Sequence, residues 1–350
     1  MEPFASEPPS MRAIRKHARR KNGRANIMRR RRTVVLSTVG LLAVVSVAAQ
    51  GYPATQDDRY HQGKDRPMKI LVTGGTGTVG SQVVSELLKR NAQVSALTRR
   101  PDAKLPPGVQ AVRGDLGDVQ TIRTAFKAFD GLFLLNMVGP GEANEGILGV
   151  DGARLGGIKR LVYLSVHKAD EAPHLPHFGC KLGVEAAVKA SGAQWTILRP
   201  NNFYQNDFWF KDVIKQGIYP QPLGDVGLSR VDVRDIAEAA AIALVDGRHS
   251  GQTYNLVGPD ILTGARTAQI WSAALGKPVS YAGHSNMDEW ERQAAQMLPP
   301  LMAFDFRLMY EFIQTSGLKA TPADIDRQTQ LLGHPPRKFE DFVNEAKVAF

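Results

Sequence analysis

One cysteine in 350 residues, Cys180, rules out an intramolecular disulfide and any cysteine-based metal site. No spacing of His, Asp and Glu reads as a ligand set, so no metal is expected. No DNA-binding motif is present, and no nucleic-acid partner is expected. Residues 67–350 carry no internal repeat and no low-complexity tract. The uncharged run from Val34 to Ala49 has 16 residues, a little short of the roughly 17–25 that span a bilayer as a helix. The chain is also short of acid at one end only. Residues 1–66 hold 14 of the 44 Lys and Arg but 5 of the 34 Asp and Glu, so almost all of the formal charge of +10 belongs to them. The basic balance therefore describes a leader and leaves the rest of the chain near neutral.

That leader allows three readings. Arg29 to Arg32 followed by the apolar run, with small residues at Val47-Ala-Ala49, has the plan of a signal peptide, and Arg31-Arg32-Thr-Val-Val loosely matches a twin-arginine signal. Left uncleaved, the same segment would anchor the chain with its arginines on the cytoplasmic side. Alternatively the true start lies near Met68, which opens the first strand, and the protein is cytoplasmic. Residues 50–66 are polar and aperiodic, as in a linker.

What is present from Met68 onward is a strand, a tight glycine turn and a helix. Ile70 to Val72 is apolar and β-branched and stops in Thr73-Gly74-Gly75-Thr76-Gly77-Thr78-Val79-Gly80, after which Val83, Val84, Leu87 and Leu88 recur at helical spacing. The glycines match a dinucleotide fingerprint: the first ones supply backbone conformations closed to other residues, the middle one admits a pyrophosphate, and Gly80 lets helix and strand pack closely. Free N–H groups at the helix start suit phosphate charge. The second strand, Gln93 to Thr98, ends not in an acid but in Arg99 and Arg100. Two guanidiniums there suit a 2′-phosphate, favouring NADP over NAD, and the plainer alternative is a pair of solvated arginines.

The alternation continues. Strands are expected at 109–112, 131–135, 160–165 and 194–198, with helices near 118–128, 143–157 and 180–191. Near-continuous apolar strands separated by helices predict a parallel sheet covered on both faces, hence a Rossmann-type doubly wound α/β fold. The Rossmann core is expected over about 67–200, with a smaller α+β lobe interleaved over about 201–350.

Seven ordered motifs resemble the NmrA-like branch of the atypical short-chain dehydrogenases: TGGTGTVG at 73–80, TRRP at 98–101, GDLGD at 114–118, HFGCKLGVE at 177–185, WTILRPNNF at 195–203, VDVRDIAEA at 231–239 and YNLVGP at 254–259. The resemblance covers about residues 68–345. It implies an NAD(P)-binding fold whose members include quinone and azo-dye reductases and also proteins that only sense the nicotinamide pool. It further implies Asp115 and Leu116 at the adenine, Asn136 and Lys181 at the nicotinamide ribose, and Pro200 over the nicotinamide. Asp115 has a competing reading as a helix cap, shared with Asp118.

Ordinary relatives pair a catalytic tyrosine with the lysine one helical turn later. Here His177 stands four residues before Lys181. Lys181 keeps its ribose-binding part, but a phenolic acid is gone. His177 is either a proton donor near neutral pH or a solvent-facing residue at a helix start, the latter being the plainer account. Ser165 ends its strand where the usual enzymes carry a catalytic serine. Glu185, one turn after Lys181, is expected to pair with it. Cys180 is read as a redox-sensitive thiol or, more plainly, a small buried apolar residue. Quinones and azo dyes accept hydride with little help from a protein acid, so the missing tyrosine fits a reductase of planar acceptors. It fits equally a non-catalytic NADP(H) sensor acting through a protein partner. It disfavours a third option, a sugar-nucleotide or isoflavone-type ketone reductase. On the acceptor side, Phe203, Tyr204, Phe208, Trp209 and Phe210 either stack a planar substrate or fill a helix core. Residues past 286 predict two helices parted by Pro299-Pro300, forming a flexible apolar lid or a packed helical lobe.

Overall fold

The computed structural model describes residues 66–350 apart from 101 and 284–285; the leader segment 34–49, with its signal or anchor readings, lies outside the described residues. The apolar runs become strands β1 (Lys69–Thr73), β2 (Gln93–Thr98), β3 (Gln110–Arg113), β4 (Gly131–Leu134), β5 (Arg160–Leu164) and β6 (Gln194–Pro200). Between them lie helices α1 (Thr78–Lys89), α2 (Val119–Thr124), α3 (Glu142–Gly156) and α4 (Pro176–Ala190). Beyond β6 follow α5 (Lys211–Lys215), β7 (Ile218–Tyr219), α6 (Val233–Val245), β8 (Gln252–Leu256), α7 (Gly264–Leu275), β9 (Ser280–Tyr281), α8 (Met287–Ala294), α9 (Pro300–Ser316), α10 (Pro322–Leu332) and α11 (Phe339–Ala346).

The main sheet runs β3-β2-β1-β4-β5-β6-β8 with every pair parallel. Strand order reverses between β1 and β4, which opens a crevice at their carboxyl ends. The Thr73 hydroxyl spans it, donating to the Leu135 carbonyl at 2.8 Å and accepting from the Leu135 N–H at 2.7 Å.

Alternation along each strand sorts side chains between the two helical layers. Ile70 and Val72 join Val83, Val84 and Leu87 of α1 and Ile236, Ala240 and Leu244 of α6. Leu71 points the other way, with Leu132, Leu134, Tyr163, Phe126, Val150 and Val184. Burying each large aliphatic chain contributes about 1.5–3 kcal/mol. Helix α6 and strand β8, from late in the chain, thus complete the early sheet.

The glycine turn is fixed by close approach. Gly74 has φ +66°, and a Cβ on Gly80 would stand 2.1 Å from the Gly74 carbonyl oxygen. Gly80→Ala is therefore expected to cost about 1–3 kcal/mol of stability, read as a lower urea midpoint at unchanged slope.

Helix α10 packs on β8 and α6 through Leu331 and Leu332, and the other late elements form a lobe around the two-stranded parallel pair β7–β9. Its core gathers Tyr204, Tyr219, Trp271, Ile313 and Phe339. At its centre Arg230, fully buried, donates to Asp207 at 2.8 Å, to Asn202 Oδ1 at 2.9 Å and to the Phe203 carbonyl at 2.6 Å. The other Asp207 oxygen accepts from Trp271 Nε1 at 2.8 Å. Proline at the start of α9 and the break before it produce the expected helix pair, α8 and α9. No helix among the described residues is long and apolar enough to cross a membrane.

Candidate active site

A cleft of about 710 Å³ follows the carboxyl edge of the main sheet and is closed on its far side by the lobe. Gly74, Thr76, Gly77, Thr78 and Val79 line one end. Gly75 and Gly80 do not: they face Ala96 and the Gly74 carbonyl, so their part is to shape the turn. Helix α1 starts at Gly77 with no capping side chain and no acid in its first turn, which leaves N–H groups and the positive end of the dipole toward the cleft.

Arg99 and Arg100 both line the cleft, as do Asp115 and Leu116. Arg100 donates to Thr76 Oγ1 at 3.1 Å, and Arg99 lies 3.7 Å from Asp115 Oδ2. The cap reading of Asp115 is corrected: Asp118 caps α2 through the N–H groups of Gln120 and Thr121, while Asp115 Oδ1 accepts from the Gly117 N–H at 2.9 Å.

Deeper in, Asn136, Ser165, His177, Lys181 and Pro200 line the same cavity. Lys181 does not pair with Glu185. Its Nζ lies 3.0 Å from Oε1 of Glu142 without the alignment of a hydrogen bond, and donates to Asn136 Oδ1 at 3.3 Å and to the Asn136 carbonyl at 3.4 Å. Asn136 is itself held by donating to the Glu142 carbonyl at 2.8 Å. Burial pushes the Lys181 ammonium down and the Glu142 carboxyl up, and their mutual attraction opposes both shifts.

Glu185 is taken by the neighbouring strand. Arg199 of β6 grips it through two bonds of 2.8 Å, and Ser165 Oγ donates to it at 2.6 Å. Burial works to raise this carboxyl, but those donors hold it below its ordinary range. Helical spacing alone suggested Lys181 as partner; a planar guanidinium that can fork across both oxygens wins. Ser165 thereby becomes a hydrogen-bonded part of this cluster.

His177 is not solvent-facing. It is 7% exposed, and its Nδ1 lies 2.9 Å from Oδ2 of Asp305 on α9. Phe178 and Phe306 meet its ring edge-on at 4.8 and 6.1 Å. Cys180 is half-buried rather than the fully buried apolar residue of the plainer reading, and partial burial pushes its thiol up, against a reactive thiolate. The aromatic segment divides. Phe203 and Trp209 reach the cleft, with Trp209 70% exposed, whereas Tyr204 is a core residue and Phe208 packs on Phe342 and Phe350. Of α9, Phe306, Met309, Tyr310 and Ile313 wall the cleft, while Leu301 and Phe304 face outward, as does Met297 ahead of the helix.

Glu142 and Asp305 were missed in the sequence. Both are lone acids whose partners lie on other helices, and no local spacing marks them. Among the described residues Asp235, Glu238 and His334 bring ligand-type atoms within 4.8 Å of one another, but Arg337 ion-pairs both carboxylates, and none of them lines the cleft.

Residues 67–342 match the NmrA-like family. The chain belongs to that family. This NmrA-like chain is 31% identical over 287 residues to an NAD(P)H azoreductase of Xenophilus azovorans, covering 80% of its own length and 99% of the relative's. It is 32% identical, with the same coverage, to a (4-alkanoyl-5-oxo-2,5-dihydrofuran-3-yl)methyl phosphate reductase of Streptomyces griseus. Among solved structures it resembles the triphenylmethane reductase of Citrobacter sp. complexed with NADP(H), at TM-score 0.67 and 25% identity, covering 80% of this chain and all of that one.

Proposed function

We propose that this chain is an NADPH-dependent oxidoreductase that reduces a planar acceptor, a quinone or an azo compound. The observation that carries this reading is the continuity of the cleft, from two arginines through an uncapped helix start and a buried lysine to an aromatic wall on the lobe. When bound, NADPH supplies hydride. The uncapped N-terminus of α1 receives the pyrophosphate, and Arg99 and Arg100 pair with the 2′-phosphate. Asp115 and Leu116 border the adenine. Lys181, which gives two N–H groups to Asn136 and meets Glu142 without an aligned hydrogen bond, has a third N–H for the nicotinamide ribose, and Pro200 covers the ring. Phe203, Trp209, Phe306 and Met309 hold the acceptor and keep water away. The names of the azoreductase and triphenylmethane reductase relatives are consistent with a flat conjugated substrate.

The test is NADPH oxidation by the purified protein across a panel of quinones and azo dyes, with Kd for NADPH and NADH measured in parallel. Turnover is expected. Binding without turnover across the panel overturns the enzyme reading in favour of a nucleotide sensor with a protein partner. Changing Arg99 and Arg100 together to Ala is expected to raise the Kd of NADPH by about 10²-fold, as loss of two charge-assisted contacts implies, and to leave NADH nearly unchanged; equal losses refute the 2′-phosphate assignment. The leader belongs to the same proposal: N-terminal sequencing of the native protein distinguishes a start near Met68 in the cytoplasm from cleavage or anchoring through 34–49.

A further inference from the structure

Resting on the reductase reading, we propose that His177, held by Asp305 of the lobe, is the proton donor of the cleft. The acceptor it serves is one whose hydride adduct is strongly basic at nitrogen, an azo compound rather than a quinone. Three other proton-bearing side chains at this end of the cleft are committed elsewhere. Ser165 gives its proton to Glu185. Tyr310 accepts from Gln221 Nε2, and burial pushes its phenol up to about 12. The Lys181 ammonium is turned to Glu142 and Asn136. His177 alone has a ring nitrogen, Nε2, that no described residue engages, on a side chain that lines the cavity.

Asp305 takes hold of His177 twice. Its Oδ2 faces Nδ1 at 2.9 Å, and its Oδ1 lies 3.4 Å from the His177 main-chain N–H. The second contact acts as a cap, because Leu175, the residue ahead of α4, offers no side-chain cap of its own. The first orients the ring with Nδ1–H toward the carboxylate, so the donating form is the imidazolium with its second proton on Nε2 toward the substrate, and the neutral ring left after transfer keeps its proton on Nδ1. The charged groups that face the imidazole are Asp305 on α9, Glu142 on α3 and Lys181 one turn further along α4. Helix α9 carries Asp305 beside Phe306, so the element that walls the acceptor also orients the acid.

The chemistry selects the acceptor. Hydride added to a quinone leaves a phenolate-type anion, which water protonates readily. Hydride added to one nitrogen of N=N breaks the π bond and places the electron pair on the other nitrogen, a far stronger base that takes the proton from His177 Nε2 as it forms. The products are the hydrazo compound and NADP⁺, and solvent reprotonates the imidazole.

Asp305→Asn separates this role from capping, since the amide oxygen still accepts the main-chain N–H while the neutral side chain, its NH₂ turned to a bare Nδ1, supplies no charge to balance the imidazolium that donates. Turnover of an uncharged azo dye and of menadione is measured on the full chain, with NADPH Kd and ¹⁵N spectra of the histidine rings. The expected result is an azo kcat lower by about 10²-fold, a menadione kcat within about threefold, an unchanged NADPH Kd, and loss of the His177 Nδ1–H signal. His177→Gln should show the same split between acceptors, which guards against a folding defect in either variant. Equal losses for both acceptors, or no loss, with wild-type NADPH binding overturn the proton-donor role and leave the reductase reading intact. A wild-type protein that oxidises NADPH with neither acceptor overturns both.

Discussion

Lys181→Met is expected to lower kcat/KM by about 10³-fold with either acceptor, through lost ribose positioning and a carboxylate left bare beside the nicotinamide site. The same change removes one partner of a buried ion pair, which typically costs about 3–5 kcal/mol. The two effects separate by pH. Burial already holds the Glu142 carboxyl above its ordinary range, and Lys181 is the leading influence opposing that rise. Without it the folded-state value climbs further. A raised carboxyl adds stability when protonated, and that contribution is lost as pH rises through its folded-state value. The Tm deficit of the variant should therefore shrink as pH falls from 8 toward 5, while the kinetic loss persists. A deficit that grows on acidification would show that Glu142 is not the group left exposed to the change.

Arg230→Met is expected to destabilise the protein by about 3–5 kcal/mol, measured by urea unfolding, although Arg230 does not itself line the cleft. Methionine fills the volume but leaves Asp207 a buried charge with, among the described residues, Tyr219 and Trp271 as its donors. The consequence reaches the site. Arg230 also ties down Asn202 and the Phe203 carbonyl, and the segment it secures carries Phe203, Asn206 and Trp209 into the cleft. At temperatures where the variant stays folded, KM for the acceptor should rise with little change in the Kd of NADPH. A matching rise in both would mean that the lobe and the nucleotide half do not loosen independently.

The sheet was legible because its strands are short, apolar and bounded by glycine or charge: Gln93–Thr98 begins and ends where the sequence placed it, and α3 and α4 differ from expectation by a few residues at their starts. The glycine loop was legible for the same reason, since only a residue without a Cβ fits at Gly80. The partners of the central side chains were not. The rule that residues four apart on a helix meet predicted Lys181 with Glu185, and it failed because Arg199 lies on the strand beneath and offers Glu185 a forked pair. His177 looked exposed among His174, Pro176 and Phe178, because nothing in that segment announces a helix 128 residues later that will cover it. Aromatic clustering at 203–210 gave the right region but could not say which rings turn inward, since a short 3₁₀ stretch from Tyr204 to Phe210 splits them between cleft and core.

That long separation sets an order of assembly. On a ribosome adding roughly 5–20 residues per second, the glycine turn, the arginine pair and Lys181 all emerge on the order of ten seconds before Asp305. A nascent or truncated chain that ends ahead of α9 would carry the residues assigned to the dinucleotide while lacking the clamp on its acid and the wall against its acceptor. Translation thus delivers the capacity to hold the reductant first and the capacity to discharge it last.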